Sequence, residues 1–313
     1  MNTTTIRGLL LLVALALLPA VLGEYYVNLG SQMLIAVIFA SSLNLLVGYA
    51  GLTSLGHAAY LGLSAYISAW LALHVGIGHA MAAPLTLLAT TAIGGVFGWI
   101  ALRASGLSFL MLTLALSQVV WGLAYRWTSV TNGDNGLSGI TRPAPFGIDL
   151  ESSSAYYWFV LSISAVVLLV IARLVNSPFG ASLQGTRDQA RRMSSLGYNV
   201  WAIRWCAFVG ASFLGAVAGL LYVYFHKYVH PSVLSVTASA EVLLSVIAGG
   251  AGTLAGPAVG AVLVVLLKNY ASGYIERWNI LLGAVFVFIV LVMPHGIVPG
   301  VRTLLAGLKE KRA

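Results

Sequence analysis

The sequence predicts an all-α integral membrane protein, a polytopic helical bundle of about 8–10 spans with two Gly-rich broken-helix regions. Three observations carry this prediction. Of 313 residues, 59% are hydrophobic and only 8% are charged, against about 25% charged in ordinary soluble domains. The mean hydropathy is +0.94. The apolar runs are long and continuous, which suits helices of roughly 20 apolar residues rather than the alternating segments of a barrel.

A first span is expected over 6–22, with Arg7 in its first turn. Its shortness and the weakly cleavage-like Ala20-Val21-Leu22-Gly23 also fit a removable signal peptide; a retained span is expected. Further spans follow at 27–47, 57–74, 80–102, 107–125, 156–175 and 204–225. Two shorter apolar pieces, 240–250 and 257–270, precede a full span at 279–293. Small residues four apart (Gly94/Gly98, Gly215/Gly219, and Gly252, Gly256, Gly260) predict close approach of helix backbones.

Sixteen Lys and Arg against eight Asp and Glu leave a net charge of +8. The excess gathers in short loops and at the C-terminus, the positive-inside pattern, so it points to topology and away from nucleic acid. Arg173, Arg187, Arg191, Arg192 and Arg204 bracket the loop 176–203, and Arg302, Lys309, Lys311 and Arg312 crowd the tail 302–313. Both are expected in the cytoplasm, as is the N-terminus. The loop 126–155, with Asp134, Asp149 and Glu151, is expected outside. Alternating the spans satisfies all three placements once the two short pieces count as a pair.

The two breaks are Gly48-Tyr-Ala-Gly-Leu-Thr-Ser-Leu-Gly-His57 and Gly249-Gly-Ala-Gly-Thr-Leu-Ala-Gly-Pro257. Irregular backbone at membrane depth is tolerated where it lines a cavity, so these breaks point to a midplane solute path. Tight interhelical turns would produce the same glycines. The candidate path residues are Asn44, Gly48, Gly51, Ser54, Gly56 and His57 at the first break. At the second they are Gly249, Gly250, Gly252, Thr253 and Gly256. Polar groups within apolar segments attract functional interest; here they are Asn44, His57, Gln118 and Glu241. For His57 the plainer expectation is an interhelical hydrogen bond.

Enzymatic signatures are missing from the sequence. Gly250, Gly252 and Ala255 satisfy G-x-G-x-x-A, yet no alternation of strands and helices surrounds them, so dinucleotide binding is not expected. There is no G-x-x-x-x-G-K-[ST] and no H-E-x-x-H, and the six His lack metal-ligand spacing. No catalytic residue, cofactor or metal is predicted. The one cysteine, Cys206, reads as a small buried hydrophobe. The turn-rich segment Thr131–Ile140 reads either as a solvated turn or as a contact for an external partner.

Four segments together resemble the permease subunits of ATP-binding-cassette importers for branched-chain amino acids, of the LivM type. The most specific is Ser42-Leu-Asn-Leu-Leu-Val-Gly-Tyr-Ala-Gly-Leu-Thr-Ser-Leu-Gly-His-Ala-Ala-Tyr60, similar to the family's L-N-L-x-x-G-Y-x-G-x-x-S-L-G-H-A-A-[FY]. The others are Thr131–Ile140, Gly185-Thr-Arg-Asp188 through Leu196-Gly-Tyr-Asn199, and Leu244–Pro257. The resemblance implies a single non-catalytic permease domain over 1–313. It also implies that 176–203 is the coupling element docking on an ATPase, with Arg187, Asp188, Arg191, Arg192 and Gly197 as candidate contacts. Ala190 stands where the family often has Glu, and Arg191, Arg192 and Met193 replace much of an Ala-rich stretch. The implied partners are a second homologous permease, two cytoplasmic ATPase subunits, an external solute-binding protein and the lipid bilayer, in a bacterial inner membrane. Apolar walls suit an aliphatic zwitterion but also urea, amides or aromatic acids. A self-contained secondary transporter and an intramembrane enzyme are the other classes.

Overall fold

The computed structural model describes residues 14–144, 149–271, 273, 278–301 and 303. The first predicted span is helical over 14–21, and its remainder, 6–13, lies outside the described residues, as does the tail 302–313 apart from Thr303.

α1 (Glu24–Asn44) continues into a π-helical turn (Leu45–Ala50), and α2 (Ala58–Trp70) into another (Leu71–Val75). α3 (His79–Ala101), α4 (Leu107–Arg126) and α5 (Ser153–Val175) follow, then the short α6 (Pro178–Asp188) and α7 (Ala190–Ser195). α8 (Val200–His226) has 27 residues, about 40 Å of helix. α9 (Val236–Gly249), α10 (Gly256–Ala271) and α11 (Trp278–Val292) complete the bundle. Six helices are long and apolar enough to cross a bilayer among the described residues, and α9 to α11 are shorter apolar helices. At 14 and 16 residues, α9 and α10 rise roughly 21–24 Å, short of the ~30 Å hydrocarbon layer. The polytopic helical bundle is therefore as expected.

α1 and α8 form the centre. α8 packs on α1, α2 and α3, and α1 packs on α5, α8 and α10. Small residues make this possible. A side chain at Gly98 would meet the Phe208 ring at 2.7 Å, and one at Gly219 would run into the Leu61 carbonyl. Gly249 and Gly260 bring α9 and α10 together in the same way, each facing backbone of the other helix. Polar ties then cross the bundle: Ser64 Oγ donates to the Ala216 carbonyl at 2.6 Å, and Trp205 Nε1 to the Gly95 carbonyl at 2.9 Å.

The two ends differ. At one, β1 (Leu137–Ser138) pairs antiparallel with β2 (Tyr228–Val229). Leu137 and Ile140 are buried while Asn132, Asp134, Asn135, Ser138 and Gly139 are exposed, so Thr131–Ile140 packs one side on the bundle and leaves the other uncovered. Its glycines allow this, since Gly136 at φ +68° lies against the Val229 carbonyl. Arg142 donates to the carbonyls of Tyr224, Leu150 and Glu151 and lies over the Tyr156 ring. Lys227 pairs with Glu151 and holds that carboxyl below its ordinary pKa. This tie is present at neutral pH and is lost as pH falls through the lowered value. The opposite end carries α6 and α7. Cys206 is exposed on α8, contrary to expectation; an apolar thiol on a spanning helix needs no protein cover when lipid surrounds it.

Replacing Gly219 by Ala should lower the thermal midpoint in detergent, because overpacking costs about 1–3 kcal/mol. The control Gly122→Ala, where a methyl group meets nothing within 4 Å, should leave it unchanged or raise it.

Candidate functional site

The first break begins inside α1. After Asn44 the helix widens to π geometry and ends at Gly51, φ +68°. Asn44 is buried, and its amide presents one donor and one acceptor side by side. Nδ2 donates to the Thr253 carbonyl at 3.0 Å, and Oδ1 accepts from the Gly252 N–H at 2.9 Å. One side chain thus joins two irregular segments more than 200 residues apart in sequence. Gly48 is required there: a Cβ at that position would overlap both Asn44 Oδ1 and the Gly252 nitrogen.

The second break is built by its own turn chemistry. Gly250 (φ +115°) and Gly252 (φ +79°) take backbone angles closed to most side chains. Thr253 Oγ1 donates to the Gly250 carbonyl at 2.8 Å and accepts from the Gly256 N–H at 3.0 Å. It therefore closes the turn and satisfies the first amide of α10. Gly249 and Gly256 pack in this turn, the first against the carbonyl of the second.

A third charged segment meets both breaks. α6 starts at Ser177, whose side chain accepts from the Gly180 N–H, with Pro178 in the first turn. Leu183 and Thr186 of this helix are buried. From its C-terminal end Arg187 Nη1 donates to the Gly48 carbonyl at 2.6 Å, while Nε donates to Asp188 at 2.8 Å. Arg187 Cγ lies 2.6 Å from where a Gly51 Cβ would stand. Arg204 at the start of α8 donates to the Thr186 carbonyl at 2.8 Å. Gly197 (φ +88°) ends α7, with Gly197 N–H on the Ser194 carbonyl and Tyr198 N–H on the Met193 carbonyl. Those two bonds are the Schellman stop that favours glycine. Arg191, Arg192, Leu196 and Tyr198 are exposed on this element.

Asn44, Gly48, Gly51, Gly252, Thr253 and Arg187 accordingly form one cluster. Ser54, Gly56 and His57 form another, between the first break and α2. Ser54 Oγ accepts from the Gly56 N–H, and the Leu55 and Ala58 amides donate to Thr113 and Ser239 side chains. Gly56 is held against the Thr113 carbonyl. His57 is fully buried, stacks on Phe39 and lies 2.7 Å from Ser42 Oγ through Nε2. The Ser42 hydroxyl also lies 2.7 Å from the Phe39 carbonyl. Gln118 has a buried Nε2 with no hydrogen-bond partner among the described residues.

The first break runs from the end of the bundle that carries α6, at Gly48 and Gly51, to His57 beside Gly215, half-way along α8, and the second break lies at the α6 end. The reason is the Arg187 contact together with the shortness of α9 and α10, which ends the hairpin beside the charged loop. A cavity of about 750 Å³ opens from the opposite, sheet-bearing end, between α1, α8, α9 and α10. Its walls include Ile35, Phe39, Leu61 and Val264, and the break residues are not among them. Glu241 and Lys268 line it, 3.7 Å apart. Sequence reasoning singled out Glu241 but missed Lys268, Gln32 and Asn269, which line the same cavity; a cation late in an apolar helix was the available signal.

A buried polar tie between broken helices, a charged helical segment bonded to it and a cavity at the far end are features of a multi-span membrane protein, and the family match gives the class as transport. Residues 25–290 match the family described as the branched-chain amino acid transport system / permease component, and the chain belongs to that family. It is 27% identical to the high-affinity branched-chain amino acid transport system permease protein LivM of Salmonella typhimurium, over 96% of this chain and 77% of that protein. The Escherichia coli LivM protein gives the same figures. A probable LivM permease of Methanocaldococcus jannaschii is 26% identical over 88% of this chain and 93% of its own. No solved structure matches significantly.

Replacing Asn44 by Leu should strand the Gly252 N–H and the Thr253 carbonyl, at about 1–3 kcal/mol for each buried group. A lowered thermal midpoint is expected, together with faster thiol labelling of a cysteine introduced at Thr253. Unchanged labelling would show that the latch does not hold the breaks together.

Proposed function

We propose that this chain is the permease subunit of an ATP-binding-cassette importer for branched-chain amino acids, and that it forms half of the translocation path. The observation carrying this reading is the Arg187 bond to the Gly48 carbonyl. It connects an exposed charged lever to the joined breaks without intervening side chains. The similar proteins are named as branched-chain amino acid permeases, which favours that solute over urea, amides or aromatic acids.

In this reading the α6–α7 end faces the cytoplasm of a bacterium, with both termini on that side of the inner membrane, and 126–155 lies outside. A second homologous permease completes the path. Of two ATPase subunits, one docks on Arg187, Asp188, Arg191, Arg192 and the turn at Gly197 of this chain, and a solute-binding protein delivers from outside. The break residues, from Asn44 to His57 and from Gly249 to Gly256, form the cytoplasmic gate. ATPase closure displaces α6, Arg187 draws on the first break, and the Asn44 latch transmits or releases that force at the second. The rigidity of the lever is supported by the Ser177 cap, the Arg204 tie and the Gly197 stop. Only a ligand or nucleotide that binds the two states unequally can bias them.

Replacing Arg187 and Asp188 together by Ala should abolish ATP-driven uptake in proteoliposomes while the protein still inserts. Gly197→Pro should do the same, since proline cannot adopt φ +88° and lacks the amide bonded to Ser194. Full uptake by both variants would overturn the coupling assignment. Uptake by the purified chain alone, without ATP, would instead establish a secondary transporter.

A further inference from the structure

We propose that the α6 end of the bundle carries a site for the headgroup of an anionic phospholipid, formed by Arg103 and Trp99 at the end of α3, with Trp201 of α8 level with them. This goes beyond the transport reading and does not depend on which solute the chain carries.

The sequence of α3 sets the depth. Leu85, Leu88, Ala92, Val96, Trp99 and Arg103 are all exposed, and their spacing of three or four residues places them on one helix face. α3 is long and apolar enough to cross a bilayer, so this stripe is the side that meets lipid. Along it aliphatic side chains give way to an indole and then to a guanidinium. A bilayer changes in the same order, from acyl chains through an aromatic belt to headgroups. α8 supplies the neighbouring wall. A side chain at Gly94 would meet Ser212 and one at Gly98 would meet Phe208, so α3 and α8 run antiparallel and Trp201 stands level with the last turn of α3. Trp205 lies across α3 with its Nε1 on the Gly95 carbonyl, and Trp201 stacks on it, centroids 6.1 Å apart. Trp99 and Trp201 are 47% and 41% exposed, which leaves both rings open to the bilayer.

Charge then chooses the lipid. Arg103 lies over the Trp99 ring, 3.9 Å from its centroid, a contact that holds a guanidinium in place. Among the described residues no carboxylate pairs with it. Around it the α6 end carries Arg173, Arg187, Arg191, Arg192 and Arg204 against Asp188, and Asp188 is already held by Arg187. Arg187 and Arg204 are further bound to the Gly48 and Thr186 carbonyls, whereas Arg103 stands on the lipid-facing stripe itself. Its planar fork of N–H donors matches a phosphate and keeps its charge at any working pH. A phosphatidylglycerol headgroup brings one net negative charge to this positive surface. Phosphatidylcholine brings the same phosphate together with a cation of its own, which the surrounding arginines repel. The hydrocarbon stripe below Trp99 accommodates the acyl chains of either lipid, so the preference between them comes from the headgroup.

The test places the full chain, with whatever chains co-purify, in lipid nanodiscs containing a phospholipid that bears a diazirine near its headgroup. Phosphatidylglycerol and phosphatidylcholine versions are compared at equal mole fraction, and the labelled peptides are mapped by mass spectrometry. The phosphatidylglycerol probe should label residues 96–106 and 199–206 about five-fold more than the phosphatidylcholine probe, the ratio that one cation beside an anionic headgroup supports. Arg103→Gln should bring the two probes level there, while Arg103→Lys should keep more than half of the preference. Arg126→Gln, which alters an exposed arginine at the sheet-bearing end, should leave it unchanged. Equal labelling by both probes in the unaltered chain would reduce the surface to ordinary boundary lipid and overturn the site. A preference that survives Arg103→Gln would assign the charge to other arginines, and absence of label would mean that a protein partner covers this face; either result overturns the proposal. Excess inorganic phosphate at matched ionic strength should not displace the probe, and displacement would show a free-anion site instead.

Discussion

The amide of Asn44, hydrogen-bonded at once to the Gly252 N–H and the Thr253 carbonyl, is the constraint on which the arrangement depends. Irregular backbone inside an apolar bundle carries polar groups that lipid cannot satisfy. Two breaks meeting each other solve that problem once, in one place, with one side chain. The solution dictates much of the surrounding sequence. Gly48 must lack a side chain so that the Gly252 nitrogen can reach Asn44, and Gly51 must lack one so that Arg187 can pass to the Gly48 carbonyl. Each glycine here is explained by a particular neighbour.

The same economy governs the helices above the latch. α9 and α10 are too short to span alone, and they stay together because Gly249 and Gly260 let backbone touch backbone. Close packing at the α6 end leaves the hairpin free to diverge toward the sheet-bearing end, where the cavity opens. Phe39 lines that cavity and stacks on His57, which is tied to Ser42. Ser42 and Asn44 are two residues apart in α1, so the cavity wall and the latch share one short stretch of helix.

Much of this was legible in the sequence, for reasons that differ by residue. Continuous apolar runs identified the spans, because a bilayer imposes length and composition directly. The glycine clusters located both breaks, and the charged loop was found because charge is costly elsewhere in such a chain. Depth was not legible. Glycine reports that backbone is close or left-handed, not where along a bundle this occurs, so the sequence did not show that Gly48, Gly51 and the second break sit beside α6 while His57 sits half-way along α8. Nor could one sequence show that Asn44 reaches Thr253, since partners 209 residues apart leave no periodicity. Cys206 failed for another reason: burial rules calibrated on water do not apply to a surface that faces hydrocarbon.

A transport protein needs two states close enough in free energy for binding events to choose between them. Carrying a population from 1:99 to 99:1 takes about 5.5 kcal/mol of differential binding. Among the described residues two hydrogen bonds through Asn44 join the breaks to each other, and one through Arg187 joins α6 to the first of them. Each contributes about 1 kcal/mol net, and somewhat more where a charged guanidinium donates. Their combined strength is therefore of the same order as the bias that a bound partner can supply. An apolar seal of similar area, packed with leucines, would separate only by exposing large hydrocarbon surfaces to one another's absence. Hydrogen bonds to backbone can instead be exchanged for water, so under the proposed function a polar latch would open at modest cost and reclose in a single register.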